Sequence, residues 1–383
     1  MPAAAARARQ AGPPRQDRPA GAQRRDRQRA ATGASRARAS ARRAQRSRHR
    51  RTAAVVVVAL AAAGGVAAGV VVSSTGGPDR AVPLTVHPIT VHPVTEAAAV
   101  SSVAEGLGSG WLVDDRGDTL VRFDPASGRR TGPPVTVAGR PVAVTTGFGG
   151  VWVASMLSDT VQEIRPGRAG RAGTVVRTVH VPEGPSGLAV LDGRVWVASV
   201  VAGDLTAVDP TTGRVAASTH LPQGAVRLAA GAGRVWVTGT GDTVAAVDPR
   251  PVQGTLHWRT VTVGRGPVGV AVGAGSVWVA DAAAGSVAEV DPETYRVVRT
   301  FRTGPDPVAV AAVAGAGDSG RVLVADGRTS EVTAITAAGP EPGDGGGRPL
   351  TATLHGTPRQ LVAVPGGTVW AAVGNPGAVA AVR

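Results

Sequence analysis

The chain has 383 residues, no cysteine and a formal net charge of +14. The missing cysteines exclude disulfides, thiolate zinc sites, iron–sulfur clusters, cysteine nucleophiles and a cysteine-linked lipid anchor. The charge is confined to one end: residues 1–52 hold 16 of the 41 basic residues against Asp17 and Asp26 alone, so the rest of the chain is neutral overall.

Residues 1–52 are rich in Ala, Gln, Pro and Arg and show no hydrophobic periodicity. Such a segment cannot bury enough apolar surface to fold, so it reads as a disordered Arg-rich cytoplasmic tail. Residues 53–72 contain only Ala, Val, Leu and Gly. At about 1.5 Å per residue they reach roughly 30 Å, the thickness of a bilayer's hydrocarbon core, which predicts a transmembrane helix. Arg48, Arg50 and Arg51 precede it closely, and the positive-inside rule then places the N-terminus in the cytoplasm and everything after the helix outside. A cleaved signal peptide is the competing reading, but its apolar stretch is typically about 7–15 residues. The expected location is therefore the cell membrane, single-pass, with an uncleaved anchor. The arginines would bind anionic lipid at about 1 kcal/mol each near the surface. No aromatic interleaves them, which disfavours nucleic acid as their partner. Gly65 and Gly69 stand one helical turn apart, a spacing that permits weak helix dimerisation and that an Ala/Gly-rich helix also produces by chance. Residues 73–82 read as a linker.

From residue 83 to 383 the chain repeats itself. Trp111, Trp152, Trp196, Trp236, Trp278 and Trp370 share one context, typically Val-Trp-Val-Ala, and Leu323 takes the same place between the last two. Each unit reads as four short strands. The first follows a Gly-Pro, as at Gly266-Pro267; the second carries the Trp; the third alternates strictly and closes at an Asp-Pro such as Asp291-Pro292. Units of this size with four strands each predict an all-β fold, a seven-bladed β-propeller. One indole per unit would fill the core between neighbouring blades. The seventh unit has three strands after its Gly-Pro slot, ending in Ala378–Arg383. The missing fourth is expected from Leu84–Val91, ahead of the first unit, as a non-covalent latch.

The repeated Val-Trp-Val-Ala, Val-x-x-Val-Asp-Pro and Gly-Pro-x-x-Val-Ala-Val resemble the YncE/YVTN-type β-propeller repeat family over residues 83–383. The resemblance implies the architecture. For activity it implies either a binding or scaffold module or a relative of the streptogramin B lyases, whose chemistry needs a histidine acting as acid or base near the propeller axis. The layout also resembles the extracytoplasmic half of actinobacterial sensor proteins, in which a propeller follows one membrane helix.

The ligand face of a propeller is built from loops entering the innermost strands and loops leaving the second ones. The positions that begin the innermost strands are Ser102, Ala143, Gly187, Arg227, Gly269, Ala309 and Gln360, so Arg227 is the charged member. Arg140, Glu183, Arg265, Asp281, Asp306, Asp326 and Arg359 are further candidates on nearby loops. Asp281 and Asp326 follow equivalent strands, but Ser155, Ser199 and Gly239 hold the same place elsewhere, so no ring of metal ligands is expected. No catalytic residue and no cofactor are assigned. The leading expectation is a membrane-anchored extracytoplasmic sensor or scaffold binding an unidentified protein, wall component or small ligand. The alternative is a lyase or hydrolase working at the axis.

Overall fold

Strict alternation of β-branched and small residues between glycine turns favours short antiparallel strands, each buried on both faces when sheets stack. The computed structural model describes residues 86–89, 99–168, 170–313, 320–336, 350–374 and 377–382. It divides the chain into Met1–Asp79 and Arg80–Arg383, and every described residue belongs to the second unit. The Arg-rich tail, the apolar segment 53–72 and the linker 73–82 lie outside the described residues. Among the described residues no helix is long and apolar enough to cross a membrane.

Strand β1 (Val86–Ile89) precedes the first complete sheet. Blade 1 is β2 (Val100–Gly106), β3 (Ser109–Asp114), β4 (Thr119–Phe123) and β5 (Val135–Thr136). Blade 2 is β6 (Pro141–Gly147), β7 (Gly150–Ser155), β8 (Thr160–Arg165) and β9 (Thr174–His180). Blade 3 is β10 (Pro185–Leu191), β11 (Arg194–Ser199), β12 (Asp204–Asp209) and β13 (Arg214–His220). Blade 4 is β14 (Arg227–Gly231), β15 (Arg234–Thr238), β16 (Thr243–Val247) and β17 (Trp258–Thr262). Blade 5 is β18 (Pro267–Gly273), β19 (Ser276–Asp281), β20 (Ser286–Asp291) and β21 (Arg296–Arg302). Blade 6 is β22 (Pro307–Val313), β23 (Arg321–Asp326), β24 (Glu331–Thr336) and β25 (Leu350–Thr353). Blade 7 is β26 (Pro358–Val364), β27 (Thr368–Gly374) and β28 (Gly377–Val382), completed by β1.

The innermost strands β2, β6, β10, β14, β18, β22 and β26 each pack on the next, and β26 packs on β2, which closes a seven-bladed ring. The closure is the expected latch. Val86 faces Val382 and Ile89 faces Val379 across an antiparallel pair, so β1 is the outermost strand of blade 7. Pro88, opposite Ala380, is tolerated because an outermost strand needs hydrogen bonds on one side only.

Seven apolar clusters occupy the seven gaps between blades. Trp111 of blade 1 is buried with Val151, Val153 and Ile164 of blade 2. Trp152 meets Val195 and Val197, Trp196 meets Val235 and Val237, and Trp236 meets Val277 and Val279. Trp278 meets Val322 and Val324, Leu323 meets Val369 and Ala371, and Trp370 meets Leu112 and Phe123. Burying an indole removes about 150–250 Å² from water, or roughly 4–6 kcal/mol at 25 cal/mol per Å², an upper bound for a compact unfolded chain. The indole N–H needs an acceptor when buried. Trp111, Trp152, Trp196, Trp236 and Trp278 each donate to the carbonyl five residues earlier, at 3.0–3.3 Å. That carbonyl belongs to the last residue of the innermost strand of the same blade, so the hairpin fixes the ring that wedges the gap.

Two turn types carry strain. The first hairpins of blades 1 and 2 turn through Leu107-Gly108 and Phe148-Gly149, with φ of 55° at both Leu107 and Phe148. Both side chains are exposed. After Asp291, Tyr295 takes φ of 58°, where Gly128 and Gly213 stand after Asp124 and Asp209. Its hydroxyl accepts from Arg234 Nε at 3.0 Å and its ring lies 6.0 Å from that of Trp236, contacts that hold an aromatic in a conformation it otherwise avoids.

Candidate functional site

The innermost strands all begin at one end of the ring, here the upper end. Connections between blades and loops from second to third strands gather there. Six of the seven innermost strands open on a β-bulge, between Pro185 and Gly187 for example, and between Pro358 and Gln360. Blade 4 carries Ala225 where five of the other blades have proline and blade 1 has Val100, and its strand begins at Arg227 with no such shift.

The strand-start positions face the neighbouring blade. Val144 N–H donates to Ser102 Oγ at 3.1 Å, and Val103 N–H donates to Gln360 Oε1 at 2.9 Å. A Cβ built on Gly187 would contact Leu228, and one on Gly269 would lie 3.1 Å from Ala309 Cα. Small or neutral residues at these places therefore reflect tight contact between blades. Arg227 is too long for that gap. It is half-buried, and burial followed by the positive charge of Arg359 pulls its pKa below the ordinary arginine value.

Arg359 is the bulge residue of blade 7. Its guanidinium lies over Gly374 at the end of β27, where a Cβ would come within 3.3 Å of Cζ. Arg227 and Arg359 stand at the upper end on blades 4 and 7, which are not neighbours in the ring. Among the described residues, neither arginine is ion-paired with a carboxylate, although six ion pairs form elsewhere.

The other candidates separate into two groups. Arg140, Glu183 and Arg265 are exposed on the upper connections. Asp281 and Asp326 are fully buried, which corrects their reading as ligand-facing groups. Asp326 Oδ1 accepts from Arg328 N and Thr329 N, both at 2.9 Å, and its Oδ2 accepts from Asp306 N at 2.8 Å. It fastens the loop containing half-buried Asp306. Asp114 does the same in blade 1, accepting from Arg116 N at 3.0 Å and Gly117 N at 3.1 Å. Asp114 was legible in the sequence, three residues after Trp111 as Asp281 is after Trp278, and the sequence reading passed over it. Asp281 differs from both: Gly264 N–H donates to Oδ2 at 3.0 Å, while Oδ1 is buried without a partner. Burial pushes its pKa up to about 7, only partly opposed by the Gly264 bond.

Buried side-chain polar atoms lacking a partner among the described residues are found on Asp115, Thr131, Ser155, Gln223, Asp281 and Thr303. All but Thr131 lie at the upper end. Such atoms cost free energy and call for a local explanation. No group of three or more His, Asp or Glu side chains suited to a metal forms among the described residues. At the lower end, a shallow pocket of about 310 Å³ touches Ser109, Arg122 and Asp124, but Arg122 is already committed to Ser109 Oγ at 2.8 Å and the Gly167 carbonyl at 3.1 Å.

Histidines are spread out. His180 and His220 end the outermost strands β9 and β13, and His220 Nδ1 sits 3.0 Å from Asp204 Oδ1. His257 precedes β17 at the lower end. His355 is exposed in the upper loop leading to β26, four residues before Arg359.

Solved structures share this ring. A streptogramin B lyase superposes with a TM-score of 0.63 at 14% identity, over 79% of this chain and 98% of that one. The fold is that of a seven-bladed propeller similar to streptogramin B lyase. Virginiamycin B lyase from Staphylococcus aureus gives 0.63 at 12% identity, over 78% and 99% of the two chains. The WD40 domain of Neurospora crassa Pan2 gives 0.58 at 10% identity, over 76% and 91%. No family model and no curated protein matches the chain. At these identities the likeness is one of fold, and the same fold serves a lyase and a WD40 module alike.

Proposed function

We propose that the chain is a membrane-tethered extracytoplasmic propeller that binds a ligand or a partner protein at the upper end of the ring, as a sensor or scaffold. The observation that carries this reading is that Arg227 and Arg359, without a carboxylate partner among the described residues, stand at the end where the buried unpartnered polar atoms also gather. The single-pass anchor at 53–72, with the Arg-rich tail on anionic lipid, is part of the proposal and rests on the sequence. The chain enters β1 at Val86, level with Val382 and Val369 at the lower end.

The test is affinity capture of the full chain from its native membranes, comparing the native protein with one carrying charge reversals at Arg227 and Arg359. A partner retained by both and located on the lower end would overturn the reading.

A second reading, a lyase or hydrolase, has one observation in its favour: His355 lies on the upper end in the loop that also presents Arg359. One solved virginiamycin B lyase is described as inactivated by a histidine-to-alanine change and bound to quinupristin. Incubating the full chain with quinupristin tests this directly. Loss of the intact antibiotic with native chain but not with His355→Ala would establish catalysis.

A further inference from the structure

We infer that Arg227 and Arg359 form the two halves of a binding site for an oxyanion bearing more than one negative charge, a phosphate group or a polycarboxylate, held in the mouth of the central channel. This deepens the binding reading above and rests on it. The register places Arg227 at the start of β14 and Arg359 at the start of β26, both at the upper end, on blades that are not adjacent. Two like charges at one end of a ring repel, and a low-dielectric surrounding strengthens that repulsion. Proteins keep such charges when something of opposite sign binds between them. Among the described residues no carboxylate does so.

Each guanidinium presents a planar fork of donors that matches the two oxygens of a carboxylate or phosphate. A singly charged ligand would leave one positive charge uncompensated; a di- or trianion neutralises both. The loop leading into β14 adds a further uncommitted donor, since Gln223 buries its Nε2 with no acceptor. The burial-lowered pKa of Arg227 agrees with a charge held away from bulk water, as a binding group must be. Exposed Arg140 and Arg265 stand on the same end as ordinary solvated charge and make useful controls.

The test uses the full chain in detergent, titrated calorimetrically at neutral pH and low salt with inorganic phosphate and, separately, citrate. Saturable binding of at least one is expected, and which one binds distinguishes a phosphate from a carboxylate ligand. Arg227→Gln and Arg359→Gln should each weaken it tenfold or more, whereas Arg265→Gln should leave it within twofold. Glutamine is structurally acceptable at the Arg227 position, since Gln360 occupies the equivalent place in blade 7. Should Arg227→Gln still fail to fold, Arg359→Gln alone decides, because its side chain is exposed. Without ligand, Arg227→Leu should melt at a higher temperature than the native chain. The site is refuted if neither probe binds, or if both glutamine variants bind as the native chain does. A protein partner captured equally by native and Arg227→Gln chains would remove the oxyanion site and leave the broader binding reading standing.

Discussion

Asp281 and Asp326 occupy the same place at the ends of β19 and β23, yet their carboxyl groups titrate on opposite sides of the ordinary value. For Asp326 burial pushes the pKa up, but the amides of Thr329, Asp306 and Arg328 outweigh it and hold it below. Asp281 has only the Gly264 amide, and burial prevails. In both blades a glycine leaves room for the carboxylate, since a Cβ on Gly264 or Gly304 would collide with Oδ2.

The contrast has a pH signature. Asp281 binds its proton more tightly folded, at about 7, than unfolded, near 3.8. Its contribution to stability is complete below about pH 4, falls as the pH rises towards 7, and stays low above that. Asp326 contributes in the reverse sense, its stabilisation disappearing as the pH falls below about 4. Asp281→Asn should shrink the loss of stability between pH 4.5 and pH 8 by roughly 2–4 kcal/mol. Urea unfolding at the two pH values measures it; an unchanged difference would show that Asp281 is ionised without penalty.

Removing one wedge should loosen one gap. Trp196→Ala is expected to cost about 3–5 kcal/mol, the usual range for deleting a fully buried indole. Trp258, which stands outside the repeat on outermost strand β17 and is only partly buried, should cost less when replaced by Phe. Guanidinium unfolding followed by circular dichroism compares the two, and equal losses would contradict the inter-blade role of Trp196.

Deleting Ala378–Arg383 should open the ring. It removes β28, and with it the partner of both β1 and β27. The melting temperature should fall sharply, and proteases should cut within blade 7 first. A deletion that leaves the melting curve unmoved contradicts the latch.

Phe148 offers a stabilising change. An L-residue at φ of 55° costs roughly 1–2 kcal/mol, and this side chain is exposed. The hairpin turn favours Asn-Gly, and Gly149 already follows. Phe148→Asn should raise stability by about 1 kcal/mol in thermal melts. A decrease would mean that the aromatic has a contact worth more than the strain.

The repeat was legible because one bulky residue recurs in an otherwise aromatic-poor chain. Trp111 to Trp370 mark six of the seven blades, and Leu323 is readable as their substitute in blade 6 by its flanking valines. The latch followed from counting strands, and Val86–Ile89 pairs with β28 as expected. The site was harder to read. Arg227 was identifiable as the charged member of its position, and Arg359 as a nearby loop residue. That both stand at the upper end of the ring depends on the register of the innermost strands, which leaves no trace in local sequence. The roles of Asp281 and Asp326 depend on which amides their loops supply. Thr329 and Arg328 donate to the carboxylate of Asp326, whereas Ala284 and Gly285 in the loop after Asp281 donate to its main-chain carbonyl.

The pairing of β1 with β28 also governs biosynthesis. β1 emerges from the ribosome before every other strand of the ring, and β28 after them. The nascent chain therefore carries a lone unpaired strand and, later, an incomplete seventh sheet whose edge accepts any matching segment. On a crowded surface the nearest match is β1 of another copy, so this arrangement favours strand-swapped dimers whenever two chains mature side by side.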